Sequence, residues 1–137
     1  MITFKIVTPE RVVYEDTITK VTIPTTEGEI TVLPEHAPLV TMLSAGEMQV
    51  HKESGDMVEL AIAGGVLEIR PDSEVYVMAD TAERGEDIDL QRAQKAKERA
   101  EELLKEINDV ADVDYARLQA VIERELARIS VGNRYRR

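Results

Sequence analysis

The 137-residue chain has no cysteine. Disulfide frameworks, thiolate nucleophiles and Cys-ligated zinc or iron–sulfur centres are thereby excluded. Its only histidines are His36 and His51, which leaves little from which to build a histidine metal centre. Tryptophan is absent and phenylalanine occurs once, so any core must be built mainly from aliphatic side chains. Long apolar runs are missing too. The uncharged stretch from Ala37 to Gly46 is far short of the ~18–20 apolar residues needed to cross a bilayer, so no direct membrane insertion is expected. Met1 leads straight into Ile2-Thr3-Phe4-Lys5-Ile6, with neither a basic n-region nor an apolar h-region, and export is not expected. Basic charge is also in short supply, with a formal net charge of −10. An acidic protein repels phosphate backbones, which argues against nucleic acid as a partner.

What is present divides into two halves. Met1 to Gly85 holds 15 of the 27 acidic residues but only 6 of the 17 basic ones, whereas Tyr115 to Arg137 has a formal charge of +4. All five prolines lie at or before Pro71, and beyond Gly85 the only glycine is Gly132. In the first half, apolar residues recur at a period of two in short segments, as half-buried strands require. The segments are Ile2/Phe4/Ile6, Ile18 to Ile23, Ile30 to Leu33, Met48/Val50, Val58/Leu60/Ile62, Val66 to Ile69 and Val75 to Met78. Turn chemistry separates them at Thr8-Pro9-Glu10, Thr25-Thr26-Glu27-Gly28, Leu33-Pro34, Glu53-Ser54-Gly55-Asp56, Gly64-Gly65 and Pro71-Asp72. No helix-length segment lies between any two, so residues 1–85 are expected to form an antiparallel β-sandwich. Gly64-Gly65 reads as a bulge or tight turn.

From Asp87 the period changes to that of a helix. Ala93, Ala96, Ala100, Leu103 and Ile107 form one stripe, and Tyr115, Leu118, Ile122, Leu126 and Ile129 a second. Asp87 or Asp89 is placed to cap the first helix, Asp112 or Asp114 the second, and Gly132 to end it. Residues 86–137 thus read as an antiparallel αα-hairpin, and the fold class as α+β. Two short helices with an alanine-rich seam bury little area at ~25 cal/mol per Å². Such a hairpin needs support from the sandwich, from another protein, or from each in turn.

Three stretches resemble a known family. They are Thr8-Pro9-Glu10-Arg11-Val12-Val13-Tyr14, Gly28 to Leu39 with its Leu33-Pro34, His36 and Pro38-Leu39, and Ala63 to Asp72 continuing through Ala79 to Glu83 and Ile88 to Ala93. In this order and spacing they are similar to the epsilon subunit of bacterial and chloroplast F-type ATP synthases, the counterpart of the mitochondrial delta subunit. One departure is Glu29-Ile30-Thr31-Val32, where many relatives have Leu-Gly-Ile after the glycine. The resemblance implies a non-catalytic rotor subunit of a proton-translocating synthase, held at the cytoplasmic face of the bacterial membrane. Its implied partners are the gamma subunit, the membrane c ring and the alpha/beta catalytic head. In that family the hairpin either folds on the sandwich or extends along gamma and restrains ATP hydrolysis.

Some members bind ATP through a motif matched here by Ile88-Asp89-Leu90-Gln91-Arg92-Ala93. The resemblance therefore implies Glu83, Ile88, Asp89, Arg92, Ala93 and Arg99 as nucleotide contacts, with Arg124 and Arg128 a looser match. The resemblance implies no required cofactor, with ATP as a regulatory ligand where one binds. Physically, Arg92 and Arg99 share one helix face and Arg124 and Arg128 another, so four guanidiniums converging across the hairpin would suit a polyphosphate. The plainer reading has Asp89 as a helix cap and the arginines paired with Glu98, Glu101, Glu102 and Glu123 on a solvated face. No Walker-type loop is present, so bound ATP would be sensed rather than hydrolysed. Glu29, Glu35 and His36 are candidates for a partner interface, or are simply solvated loop residues. A hydrolase centred on His36 lacks any nucleophile motif nearby. A free-standing ATP-sensing or adaptor domain using the same hairpin is the alternative to the synthase reading.

Overall fold

A computed structural model describes residues 1–107 and 113–135, with side chains described for 1–107 and 114–134. Seven strands come first: β1 (Ile2–Val7), β2 (Val12–Thr25), β3 (Gly28–Val32), β4 (Leu39–Met42), β5 (Gly46–Lys52), β6 (Met57–Arg70) and β7 (Glu74–Arg84). A short 3-10 turn, Gly85–Asp87, leads to α1 (Leu90–Lys105), and α2 (Val113–Tyr135) follows. The sandwich expected from the sequence is present, with its layers joined rather than separate. The strand order β1-β7-β6-β5-β2 closes on itself because β1 also pairs with β2. The long strands make this possible, since β2 serves β1 with its first half and β3 and β5 with its second. Likewise β6 pairs with β5 up to Ile62 and with β4 from Val66. Pairing is antiparallel except between β1 and β7, which run parallel.

Two of the expected strand segments are therefore one strand. Gly64-Gly65 does not end β6, nor does the pairing with β7 shift register across it. Both glycines have positive φ, at 66° and 115°, and they lie where β6 changes partner. β4 was not among the expected strands, because Leu39-Val40-Thr41-Met42 shows no alternation of apolar and polar residues.

Alternation puts Ile2, Phe4 and Ile6 of β1 inward, where they meet Ile18, Val21 and Ile23 of β2 and Leu60, Ile62, Leu67 and Ile69 of β6. Phe4, fully buried, packs against Tyr14 at a ring separation of 6.1 Å. The Tyr14 hydroxyl donates a hydrogen bond to Asp16 Oδ2 at 3.0 Å. Burial, reinforced by that carboxylate, pushes the Tyr14 pKa up to about 12. Folding therefore favours the neutral phenol. This contribution is complete below the ordinary tyrosine pKa of ~10 and is lost as pH rises through about 12. Absorbance titration should show a tyrosine ionisation step near pH 12, and Tyr14→Phe should remove that step.

α1 starts as expected, with the Asp89 side chain accepting a hydrogen bond from Arg92 N at 3.1 Å. Asp112 lies outside the described residues, as does the stretch from Asn108. Asp114 falls in the first turn of α2 rather than before it. The helical stripes are only partly borne out. Ala93 and Ala100 are buried, but Leu103 and Leu126 are 42% and 48% exposed.

Gly132 does not terminate α2, which runs on to Tyr135. Its role is close approach, because a Cβ there would stand 2.7 Å from Leu90 Cδ2 and 3.1 Å from Ile88 Cγ2. Gly132→Leu should therefore overpack this crossing and destabilise the hairpin by ~1–3 kcal/mol. Amide exchange should speed up in both helices and remain slow in β1 and β2.

Candidate functional site

The hairpin meets the sandwich through α2. Cross-strand pairing aligns Glu47 of β5, Ala61 of β6 and Glu83 of β7 in a row across one layer. The small side chain of Ala61 lets the helix come close, and Ile88, Ala127 and Val131 complete a buried apolar patch with Leu90 packed beside it. Polar contacts flank the patch on both sides. Toward β7, Arg128 Nε donates to Glu83 Oε2 at 2.7 Å, and Arg128 Nη1 donates to Glu125 Oε2 at 2.7 Å. Arg124 binds the other oxygen of Glu125 at 3.2 Å. Toward β5, the Ser130 hydroxyl donates to Glu47. Arg134 pairs with the same carboxylate and approaches Glu59 at 3.6 Å.

Glu125 is the unusual member, a carboxylate only 1% exposed. A buried charge is tolerated only when its partners replace water, and here each oxygen has its own guanidinium. Burial works against the charge on Arg128, but its hydrogen bonds to Glu83 and Glu125 outweigh this and hold its pKa above the ordinary arginine value. A cleft of about 380 Å³ opens beside this network, walled by Arg124, Glu125, Arg128, Glu83, Asp80 and Arg11 among others.

The eight residues implied as nucleotide contacts are spread over different settings. Glu83, Arg124 and Arg128 line the cleft just described. Arg92 and Arg99 line a second groove of about 370 Å³ between the helices, with Ala96, Leu103, Leu118 and Val121. Asp89 is occupied as a helix cap, while Ile88 and Ala93 are fully buried. The plainer reading named other partners for the arginines, and the carboxylates on Arg124 and Arg128 are instead Glu125 and Glu83. Glu125, Glu47, Arg134 and Ser130 escaped sequence reasoning. The one signal, and for Glu125 alone, was the density of charge at i, i+1 and i, i+3 from Arg124 to Arg128, which a solvated helix face would also show.

Glu29 is exposed on β3, opposite Pro24. Glu35 takes a left-handed conformation at φ 67°, and its backbone N–H donates to Ser73 Oγ at 2.8 Å, tying the β3–β4 loop to the β6–β7 turn. His36 Nδ1 lies 2.7 Å from the Ala37 carbonyl. That contact orients the ring locally and supplies no catalytic carboxylate.

The other layer carries a different surface. Register places Met42, Val66, Met78, Val7 and Val12 side by side across five strands. Met42, Met78 and Val12 are 61%, 43% and 48% exposed, and Val40 beside them is 69% exposed. A contiguous apolar row of this kind on a charged protein is a mark of a protein-binding face.

Among the described residues no helix is long and apolar enough to cross a membrane. Residues 1–85 match the beta-sandwich domain of the ATP synthase delta/epsilon chain, and residues 86–132 match its long alpha-helix domain. The chain is 42% identical over its full length to ATP synthase epsilon chain 2 of Ralstonia nicotianae, covering 96% of that protein. Over 93% of both chains it is 43% identical to the ATP synthase epsilon chain of Moorella thermoacetica. Among solved structures it resembles a chain of the Euglena gracilis mitochondrial ATP synthase OSCP/F1/c-ring assembly, with a TM-score of 0.77 and 25% identity over 89% of this chain and 75% of that one. A chain in the central stalk/c-ring structure of Tetrahymena thermophila ATP synthase, 12% identical with a TM-score of 0.60 over 98% of this chain and 95% of that one, shares the fold. With both halves matched in order and the full length aligned to curated relatives, the chain belongs to the ATP synthase delta/epsilon family.

Proposed function

We propose that this chain is a non-catalytic rotor-stalk subunit that joins the gamma shaft of an ATP synthase to the c ring and carries a regulatory hairpin. The observation that carries this reading is the apolar row from Met42 to Val12, a surface suited to a permanent partner. Gamma is the occupant assigned to it. Glu29 of β3 and the loop residues Glu35 and His36 are assigned to the c ring, and the subunit is thereby held at the cytoplasmic face of the membrane through its partners.

The hairpin serves as the moving part. Its contact with the sandwich combines one small apolar patch with two sets of ion pairs, which leaves its docked and released states close enough in energy for partners to shift between them. When released, it extends toward the alpha/beta head and restrains hydrolysis. ATP enters this scheme as a regulatory ligand only by displacing the Glu83 and Glu125 carboxylates from Arg128 and Arg124. The test is size-exclusion chromatography of the chain mixed with its cognate gamma subunit. Co-elution at low micromolar concentration is expected, and separate elution at saturating ratios overturns the assignment.

A further inference from the structure

We propose that Glu125 is a built-in counter-anion that holds the hairpin docked on the sandwich with no ligand bound. The inference rests on the hairpin being a moving part, as read above. A helix presenting Arg124 and Arg128 toward a sheet needs negative charge between them, because two guanidiniums this close repel each other and a desolvated cation needs a partner. An external anion such as a phosphate chain would supply that charge only when present. Here the chain supplies it permanently, from a side chain 1% exposed with Arg124 on one oxygen and Arg128 on the other. Arg128 then reaches across to Glu83 through Nε at 2.7 Å and Nη2 at 3.4 Å, which ties the helix to β7. Glu125 thus orients Arg128, which among the described residues is the arginine of α2 that spans the interface to β7.

The geometry also separates this latch from the contacts on β5. Ser130 and Arg134 hold Glu47 further along α2 and share no side chain with the Glu125 group. Loss of Glu125 therefore releases the start of the docking face, and the apolar patch and the β5 contacts must hold the rest.

The absence of cysteine allows a clean test, because two introduced cysteines are the only ones in the chain. Spin labels at Ser54→Cys in the β5–β6 turn and Glu102→Cys on the exposed side of α1 report hairpin position by pulsed electron resonance. In the otherwise unchanged chain a single distance population is expected, the same with or without inorganic tripolyphosphate. Glu125→Gln should add a second population, with the released-to-docked ratio at least ~10-fold higher, as follows from uncovering a buried charge. Tripolyphosphate should return that variant to the single population by supplying the missing anion. Glu83→Gln, which removes the strand-side carboxylate itself, should move the ratio in the same direction and serves if Glu125→Gln does not fold. The exposed neighbour change Glu123→Gln should move nothing.

A single unshifted population in both carboxylate variants overturns the proposal. So does a released population in Glu125→Gln that tripolyphosphate leaves unchanged, which would mark Glu125 as a packing element only. The measurement uses the isolated chain, so its outcome is independent of whether gamma binds the apolar row.

Discussion

Replacing Gly65 with alanine is expected to destabilise the sandwich by on the order of 3–5 kcal/mol, a large share of the stability of a typical small domain. Two effects combine there. The backbone at φ 115° lies where an L side chain is strained, and a Cβ would fall 2.1 Å from the Met78 carbonyl oxygen and 2.8 Å from Ala79 Cα. Both obstructing atoms are backbone of the paired strand, so they move only if the β6–β7 ladder moves. Gly28 separates the two effects, since it has φ 112° and an added Cβ would meet nothing within 4 Å. Gly28→Ala should therefore show the conformational strain alone, ~1–3 kcal/mol. Gly64→Ala should fall between the two, because its clash is with Asp80 Oδ2 at 2.3 Å, the free end of a side chain that can rotate away. Urea denaturation followed by far-ultraviolet circular dichroism ranks the three. A Gly65→Ala midpoint equal to that of Gly28→Ala would show that the ladder yields readily at the point where β6 changes partner.

The same glycines mark where the sequence was hardest to read. Alternation in Val58/Leu60/Ile62 and again in Val66 to Ile69 was legible, but the Gly-Gly pair between them looked like a break. It is a bend within one strand, at which the partner changes from β5 to β4 while β7 stays paired. Only long-range pairing distinguishes those cases. β4 was invisible for a related reason, because Val40 and Met42 are apolar on the outward side, and a strand with two apolar faces loses its period of two. In the helices, the cap at Asp89 was readable from local chemistry. The docking face of α2 was not, because Glu125 and Arg128 stand among its small apolar residues Ala127 and Val131. A hydrophobic stripe search selects Leu126 instead, which is 48% exposed. Resemblance to the family pointed to Glu83 and Arg128, and it remained for the fold to bring them 2.7 Å apart.

Placing charge on the apolar row should abolish the proposed attachment to gamma while leaving the fold intact. The double change Met42→Glu and Met78→Glu puts one carboxylate at the β4 end of the row and one at its middle, on the two strands that flank Val66. Both positions are largely exposed in the free chain, at 61% and 43%, so stability should change by less than ~1 kcal/mol. Against a partner the balance is different, since each buried carboxylate would lose its water with no cation arranged to replace it. Central interface positions commonly carry about 2 kcal/mol or more each, so the pair should weaken binding by ~100-fold or more, chiefly through faster dissociation. Glu53→Gln in the β5–β6 turn, away from the row, should leave affinity unchanged. Surface-captured gamma titrated with each variant reads the effect directly. If the double variant binds as tightly as the original chain, gamma is held elsewhere and the apolar row belongs to another contact. If it binds more weakly by the expected factor while hairpin position and melting temperature are unchanged, the stalk is held by one layer of the sandwich, and the other layer is left to dock and release the helices.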